Sequence, residues 1–290
     1  MNVTLNHDEM AAWSRFIHEI CGVHLDESKG YLLQTRLAAL LQESGTHTYA
    51  EFYYKAKADR SSGLRRKIID AITTNETSFF RDASPFEMIQ HKLLPELVDR
   101  RRKAGRVPVP IRVWSAACST GQEIYSTAIA IKEVLGDLRG YDVRLMGTDI
   151  SDRAVACASQ AVFSRGDLDR GMPAEKLARY FAASGGNWRV RDEIRALATF
   201  KTMNLLEPFS FPAPFDIVLC RNVAIYFTEA DKLRLYRGIR GAMAPDGALI
   251  IGATESLTGL CPELEPKRHL RGVFYQNKAA PNGNGTAIRR

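Results

Sequence analysis

The sequence predicts an α/β protein in which a domain made of helices precedes a doubly wound parallel β-sheet. Two patterns lead to this prediction. Apolar residues recur at helical spacing through the first 72 residues, whereas short apolar runs alternate with amphipathic helical runs after residue 110. With 290 residues, the chain is long enough to give each of two domains its own hydrophobic core.

The N-terminal helical domain is predicted to span residues 1–72. Trp13, Phe16, Ile17 and Ile20 are spaced i, i+3, i+4 and i+7, which places them on one helical face. Cations lie on the outer faces of these helices: Lys29, Arg36, Arg65, Arg66 and Lys67. Such a surface is either simply solvated or a docking surface for an acidic helix, and the residues alone leave both interpretations open.

A further helix is predicted after a connector. Ser84, Pro85 and Glu87 have the spacing of a capping box with proline at the first helical position. We therefore expect a helix that begins at Pro85, kinks at Pro95 and runs toward residue 103.

The α/β domain is predicted to cover residues 84–278. Strand-like and helix-like runs alternate in it at 111–114, 123–135, 143–149, 152–161, 215–221, 229–243 and 248–253. A turn at residues 185–187, followed by short β-rich runs, departs from this alternation and predicts a small antiparallel β-subdomain inserted at about residues 176–200. Residues 279–290 lack periodicity and are expected to form a disordered tail.

The segment at residues 113–123 is the most informative one in the chain. A β-rich run leads into a loop of small residues that ends near Gly121, and an amphipathic helix begins at about Glu123. Small residues allow the backbone to approach a ligand closely, and a helix N-terminus provides free N–H groups. The pattern predicts a nucleotide-type cofactor site, although a strand, loop and helix without a ligand fit it equally.

Asp149 closes the next predicted strand, where an acidic residue can accept hydrogen bonds from ribose hydroxyls. In dinucleotide folds that residue follows the glycine turn by about 20 positions. Asp149 lies later than this, and Gly121 is the only glycine in the loop. Both observations favour the S-adenosylmethionine (SAM) version of the Rossmann-like fold over a classical NAD site.

Composition narrows the other possibilities. The formal net charge of +7 suggests an acidic partner, but no nucleic-acid-binding motif is present. The N-terminus lacks a secretory pattern and no long apolar run occurs, so we expect a cytoplasmic protein without membrane insertion. The five cysteines form no C-x-x-C pair and the six histidines show no ligand spacing, so reduced thiols and no metal are expected.

Several motifs together identify a family. They are N-x-T-x-F-F-R at 75–81, the loop at 113–123, T-D-I at 148–150, N-L-L at 204–206, C-R-N-V-x-I-Y-F at 220–227 and P-D-G at 245–247. They closely resemble the chemotaxis receptor methyltransferases, the CheR family of SAM-dependent protein-glutamate O-methyltransferases, over nearly the whole chain. The resemblance implies a helical domain (1–72), a connector that contributes to the cofactor site (73–83), and a SAM-methyltransferase domain with the inserted β-subdomain.

The resemblance also implies which residues line the cofactor pocket: Asn75, Thr77, Arg81, Glu123, Asp149, Asn204, Leu205, Asn222 and Val223. Among them, we expect Glu123 to accept hydrogen bonds from the α-ammonium group of the cofactor, and Arg81 to meet a carboxylate. Asp149 would bind the ribose hydroxyls. The side-chain amide of Asn204 would contact the adenine edge.

The implied reaction moves a methyl group from SAM to glutamate carboxylates of chemoreceptors and releases S-adenosylhomocysteine (SAH), for sensory adaptation. Because a glutamate side chain has a pKa of about 4.3, the substrate is already a nucleophile at neutral pH and needs no general base. The enzyme would mainly position the reactants and exclude water. Arg81 and Tyr226 are the candidates for shaping the transfer site.

The family link further implies the partners of the protein. These are the acidic cytoplasmic helices of chemoreceptors and, as in some family members, a receptor C-terminal peptide bound to the β-subdomain by strand addition. A monomer is the expected state. Ala253 and Ile124 stand where the family commonly has His and Pro, which leaves details of the pocket wall open.

Two other functions stay open. The first is a SAM-binding regulatory or scaffold protein without turnover, which the intact set of Arg81, Glu123, Asp149 and Tyr226 disfavours. The second is a nucleic-acid methyltransferase, for which charge is the sole support, since an N/D-P-P-Y-type motif is absent.

Overall fold

The computed structural model describes residues 4–278, and the expected tail at 279–290 lies outside them. The N-terminal part is helical, as predicted, with α1 (His7–Cys21), α2 (Gly30–Glu43), α3 (Tyr49–Ala58) and α4 (Gly63–Ile72). Asn6 and Glu9 form a reciprocal capping box on α1, which ends at Gly22 in a left-handed conformation. Trp13 and Phe16, predicted to share a helical face, are buried in the core of these helices.

The helix after the connector contains an irregular turn. α5 (Ser84–Met88) continues through a π-helical turn (Ile89–Leu93) into α6 (Leu94–Lys103). The predicted capping box was wrong, because Ser84 is already helical and no side chain caps this end. The distortion expected at Pro95 takes the form of the π turn directly before it, since proline cannot donate the regular hydrogen bond.

A seven-stranded sheet forms the centre of the second part. Its strands are β1 (Val109–Ala116), β2 (Tyr141–Asp149), β6 (Ala198–Thr202), β7 (Phe215–Cys220), β8 (Met243–Ile251), β9 (Leu264–His269) and β10 (Gly272–Asn277). Their order is β6-β2-β1-β7-β8-β10-β9. The first five in this order run parallel, as predicted, whereas β10 and β9 extend one edge in antiparallel fashion. The chain changes direction across the sheet between β1 and β7, which is the switch point of the fold.

The two faces of the sheet each carry a hydrophobic core. The helices of this part are α7 (Gln122–Leu135), α8 (Asp152–Gln160), α9 (Arg165–Asp169), α10 (Ala174–Tyr180), α11 (Asp192–Arg195) and α12 (Glu229–Ala242). Val113 and Ile217 pack with residues of α6 and α7, whereas Trp114 and Val218 pack with residues of α12. Burial on both faces explains the continuous apolar runs of these strands. Within residues 4–278, no helix combines the length and apolar character needed to cross a membrane.

A small antiparallel sheet is inserted between β2 and β6, but its position differs from the prediction. Its strands are β3 (Val162–Phe163), β4 (Phe181–Ser184) and β5 (Asn187–Val190), in the order β3-β5-β4. The first of them precedes the expected start at residue 176. At the other end, β6 includes residues expected in the insertion and pairs instead with β2 of the large sheet. Strands of two to four residues are too short to give a readable pattern.

Candidate active site

An open cavity lies at the carboxyl ends of β1, β2 and β7, beside the switch point of the sheet. It holds about 1270 Å³ of empty space, counting the solvent at its mouth. Ligands of doubly wound folds bind at this position. Every residue predicted for the site lines the cavity: Asn75, Thr77, Arg81, Glu123, Asp149, Asn204, Leu205, Asn222, Val223 and Tyr226.

The loop between β1 and α7 turns sharply because its backbone is left-handed at Ala117 (φ 62°), Ser119 (φ 50°) and Gly121 (φ 96°). Packing also requires glycine at Gly121, because a Cβ there would lie 2.9 Å from the Cβ of Ala158. The turn brings the backbone N–H of Ser119 within 2.8 Å of Oδ2 of Asp149. The loop is therefore fixed against the end of the neighbouring strand.

Asp149 is a buried carboxylate, with 6% of the residue exposed. Its Oδ2 accepts the backbone N–H of Ser119, and its Oδ1 accepts the backbone N–H of Ser151 at 3.0 Å. Burial raises the pKa of Asp149, and the backbone hydrogen bonds oppose this rise. Each oxygen can accept a further hydrogen bond, so the carboxylate remains able to bind ligand hydroxyls.

Glu123 lies in the first turn of α7, and 12% of its side chain is exposed. Its Oε1 accepts a hydrogen bond from the hydroxyl of Ser115 at 2.7 Å, and its Oε2 accepts one from Arg221 at 2.8 Å. The positive end of the helix dipole also favours a carboxylate here. Glu123 is thus held in one orientation by contacts within the protein.

Arg221 connects the polar groups of the site, a role that the sequence analysis did not assign. Its side chain is 2% exposed. Besides the bond to Glu123, its Nη2 donates to the carbonyl oxygen of Arg81 and to Oδ2 of Asp82, both at 2.9 Å. Arg221 therefore ties the connector to the start of α7. An arginine directly after a buried strand that is apolar except for Asp216 was the available signal, because that position is a poor one for a core cation.

Arg81 contrasts with Arg221, since most of its guanidinium is available. Among the described residues, its Nη1 donates to the carbonyl oxygen of Glu76 at 3.2 Å. The remaining N–H groups of Arg81 can therefore meet a ligand carboxylate at the cavity wall. The connector that carries Arg81 is held beside the loop, because the hydroxyl of Ser119 donates to the carbonyl oxygen of Asn75 at 3.1 Å.

The side-chain amide of Asn204 is engaged within the protein. Its oxygen accepts the backbone N–H of Leu206 at 3.0 Å, while its NH₂ group lies 3.3 Å from Oε1 of Glu207 and 3.5 Å from the carbonyl oxygen of Ile20. An adenine contact through this amide would require one of these bonds to be exchanged. The adjacent Leu205 is buried and contributes apolar wall.

The helical domain forms one wall of the cavity, which the sequence analysis did not predict. Residues of α1, α2 and the loop between them contribute to the lining: Cys21, Val23, His24, Leu25, Leu32 and Arg36. The backbone N–H of His24 donates to the carbonyl oxygen of Tyr226 at 2.8 Å, which fixes this wall against the loop after β7. Arg36, assigned to an outer face, donates to the carbonyl oxygen of Ile72 and to the hydroxyl of Thr74.

The charges of the cavity suit a ligand of mixed character. The carboxylates of Glu123 and Asp149 can bind a cationic group and hydroxyls, and the remaining N–H groups of Arg81 can bind a carboxylate. In the described part of the chain, no three His, Cys, Asp or Glu side chains are grouped so as to hold a metal ion.

Comparisons with known proteins give a consistent result. The family model described as "CheR methyltransferase, SAM binding domain" matches residues 75–269, and the one described as "CheR methyltransferase, all-alpha domain" matches residues 8–73. Chemotaxis protein methyltransferase Cher2 of Pseudomonas putida is 37% identical over 268 residues, which cover 91% of this chain and 95% of the relative. Chemotaxis protein methyltransferase 1 of Vibrio cholerae is 36% identical over 279 residues, which cover 95% and 99%.

Proposed function

Because the chain belongs to the CheR family of SAM-dependent methyltransferases, we propose that it methylates glutamate side chains of chemoreceptors for sensory adaptation. The products are glutamate methyl esters and SAH. The observation that carries the proposal is the convergence of Arg81, Glu123 and Asp149 on one cavity at the carboxyl edge of the sheet.

We assign the cofactor to this cavity because its charges complement those of SAM. Glu123 receives the α-ammonium group, Asp149 receives the ribose hydroxyls, and Arg81 receives the carboxylate. The remaining proposed contacts come from the other predicted residues of the lining: Asn75, Thr77, Asn204, Leu205, Asn222 and Val223. When bound, SAM supplies an electrophilic methyl group on a positively charged sulfur.

The residues of the chain act by positioning and by excluding water. A glutamate substrate with its ordinary pKa of about 4.3 is ionised at neutral pH, so no side chain of the enzyme has to remove a proton. The helical wall shields one side of the cavity, and Arg81 and Tyr226 orient the substrate carboxylate. Positioning of this kind can lower a barrier by about 7 to 11 kcal/mol at best.

The proposed partners are the cytoplasmic helices of chemoreceptors, whose acidity complements the net charge of +7. A receptor C-terminal peptide is a second proposed partner at the small sheet, where β4 is an edge strand. We propose a monomer that works in the cytoplasm without nucleic acid. Its proposed division is a helical domain (1–72), a connector (73–83) and a methyltransferase domain (84–278).

The test is transfer of labelled methyl from SAM to membranes that contain chemoreceptors, with base-labile esters as the readout. We expect label on native receptors and none on receptors whose acceptor glutamates are replaced by alanine. Arg81→Ala and Tyr226→Phe should both lower turnover, and full turnover in these variants would remove the two residues from the transfer site. SAM binding without transfer to any receptor would refute the proposal and favour a regulatory protein.

A further inference from the structure

Glu255 joins the ends of two neighbouring strands of the large sheet. Its Oε2 accepts the backbone N–H of Gly252 at 2.7 Å and the backbone N–H of Asn222 at 2.8 Å. Gly252 follows β8 and Asn222 lies two residues after β7, so one carboxylate oxygen bridges both strand ends. The backbone N–H of Glu255 also donates to the carbonyl oxygen of Gly252 at 3.0 Å, which closes the turn around the carboxylate.

The backbone that Glu255 holds is unfavourable without such support. Asn222 has φ 58°, in the left-handed region that costs a non-glycine residue about 1 to 2 kcal/mol, although asparagine tolerates it better than most. The same loop carries Asn222, Val223 and Tyr226 into the cavity. The conformation of this loop therefore decides where three lining residues stand.

The absence of a side chain at Gly252 leaves space for the carboxylate of Glu255. A Cβ at this position would lie 2.4 Å from Oε2 of Glu255 and 3.1 Å from the backbone nitrogen of Asn222. Any side chain on Gly252 would therefore displace either the carboxylate or the turn. The contact between Gly252, Glu255 and Asn222 is closely packed, so a small change at one residue reaches the others.

The second oxygen of the Glu255 carboxylate is enclosed by the protein. This Oε1 atom is buried without a hydrogen-bond partner among the described residues, and Cys220 lies nearby in full burial. Burial raises the pKa of the Cys220 thiol, and the negative charge of Glu255 adds to the rise. A half-buried carboxylate with one enclosed, unpartnered oxygen is unfavourable for stability alone, which points to a role for its two hydrogen bonds in fixing the loop.

We propose that Glu255 is a positioning residue of the cofactor site, which acts by holding Asn222 and the loop after β7 in their binding conformation. The proposal rests on the assignment of the cofactor to the cavity, and it does not depend on the identity of the methyl acceptor. Glu255 itself does not line the cavity, so its effect is transmitted through hydrogen bonds to the backbone.

The test is SAH binding by titration calorimetry to the full chain and to Glu255→Ala, Glu255→Gln and Glu255→Asp, with thermal unfolding of each. We expect Glu255→Ala to raise the Kd for SAH at least tenfold. Glu255→Gln keeps the length and an acceptor oxygen, so its Kd should stay within about threefold of the wild type, whereas Glu255→Asp is one methylene too short and should resemble the alanine variant. The reverse order, with Asp better than Gln, would show a charge effect and overturn the proposal.

Gly252→Ala provides a second route to the same perturbation if Glu255→Ala fails to fold. It should raise the Kd for SAH at least tenfold, whereas Gly241→Ala, whose Cβ would meet no atom within 4 Å, should leave it unchanged. Unchanged SAH binding in folded Glu255→Ala and Gly252→Ala, with normal binding by the wild type, would overturn this proposal alone. Failure of the wild type to bind SAH would overturn it together with the assignment of the cofactor to the cavity.

Discussion

Replacing Arg221 by methionine should destabilise the protein and weaken cofactor binding together. Methionine is shorter than arginine but keeps an unbranched apolar stem, so the substitution removes the guanidinium group of a side chain that is 2% exposed. Glu123, 12% exposed, would keep the hydroxyl of Ser115 as a partner but lose its counter-charge. Breaking a buried ion pair from one side costs about 3 to 5 kcal/mol. We expect the lower end, about 3 kcal/mol, because Asp82, the other carboxylate partner, is 44% exposed and can be hydrated.

A double-mutant cycle isolates the contact itself. Arg221→Met, Glu123→Gln and the double variant are compared by urea unfolding, and the coupling between the two positions should be about 1 to 3 kcal/mol. The Kd for SAH should rise at least tenfold in Arg221→Met, because the orientation of Glu123 and the connector is lost.

Arg101→Met is the matched control. Arg101 pairs with the buried Asp216. The carboxylate of Asp216 also accepts the backbone N–H of Arg112, which places the pair at the amino-terminal half of β1, away from the cavity. This variant should also lower the free energy of unfolding but leave the Kd for SAH unchanged. A loss of less than about 1 kcal/mol in the free energy of unfolding of Arg221→Met would contradict this role of Arg221, and so would an equal weakening of SAH binding by Arg101→Met.

Two further predictions concern stability. Burial alone would raise the pKa of Asp231, but hydrogen bonds from neighbouring side chains lower it from 3.8 to about 2, so its contribution of about 2 kcal/mol is present above pH 4 and lost as the pH falls toward 2. Asp231→Asn should therefore be less stable than the wild type by about this amount in urea unfolding at pH 7 and by about half of it at pH 3, and a difference that did not shrink would contradict the assignment. A Cβ on Gly171 (φ 120°) would lie 2.2 Å from the carbonyl oxygen of Phe79, whereas one on Gly185 (φ 56°) would meet nothing within 4 Å. Gly171→Ala should thus cost at least about 2 kcal/mol more than Gly185→Ala, and equal costs would show that Gly171 does not pack against the carbonyl oxygen of Phe79 in the connector.

The sequence allowed the sheet to be predicted because its strands are buried on both faces. Runs such as residues 217–220 are apolar throughout, and in a parallel sheet their carboxyl ends must lie along one edge. Asp149 and Glu123 could therefore be assigned to one site from their positions at the end of a strand and the start of a helix. The family motifs added Asn75, Thr77 and Arg81 from the connector, which no periodicity places there.

Other features could not be predicted because they depend on contacts between distant segments. The bond between Arg221 and Glu123 joins residues 98 positions apart, and the bond between His24 and Tyr226 joins two domains. The small sheet was misplaced because its strands have two to four residues. The predicted capping box was wrong because the same residue types also occur within the first turn of a helix. The helix begins one residue earlier than predicted, and its N-cap residue, Ala83, has no side chain that can cap it.

The most direct test of the structural account is a crystal structure of the protein with SAH. We predict SAH in the cavity at the carboxyl ends of β1, β2 and β7, with its ammonium at Glu123, its ribose at Asp149 and its carboxylate at Arg81. SAH bound elsewhere on the chain, or bound in this cavity without contact to these three residues, would contradict it.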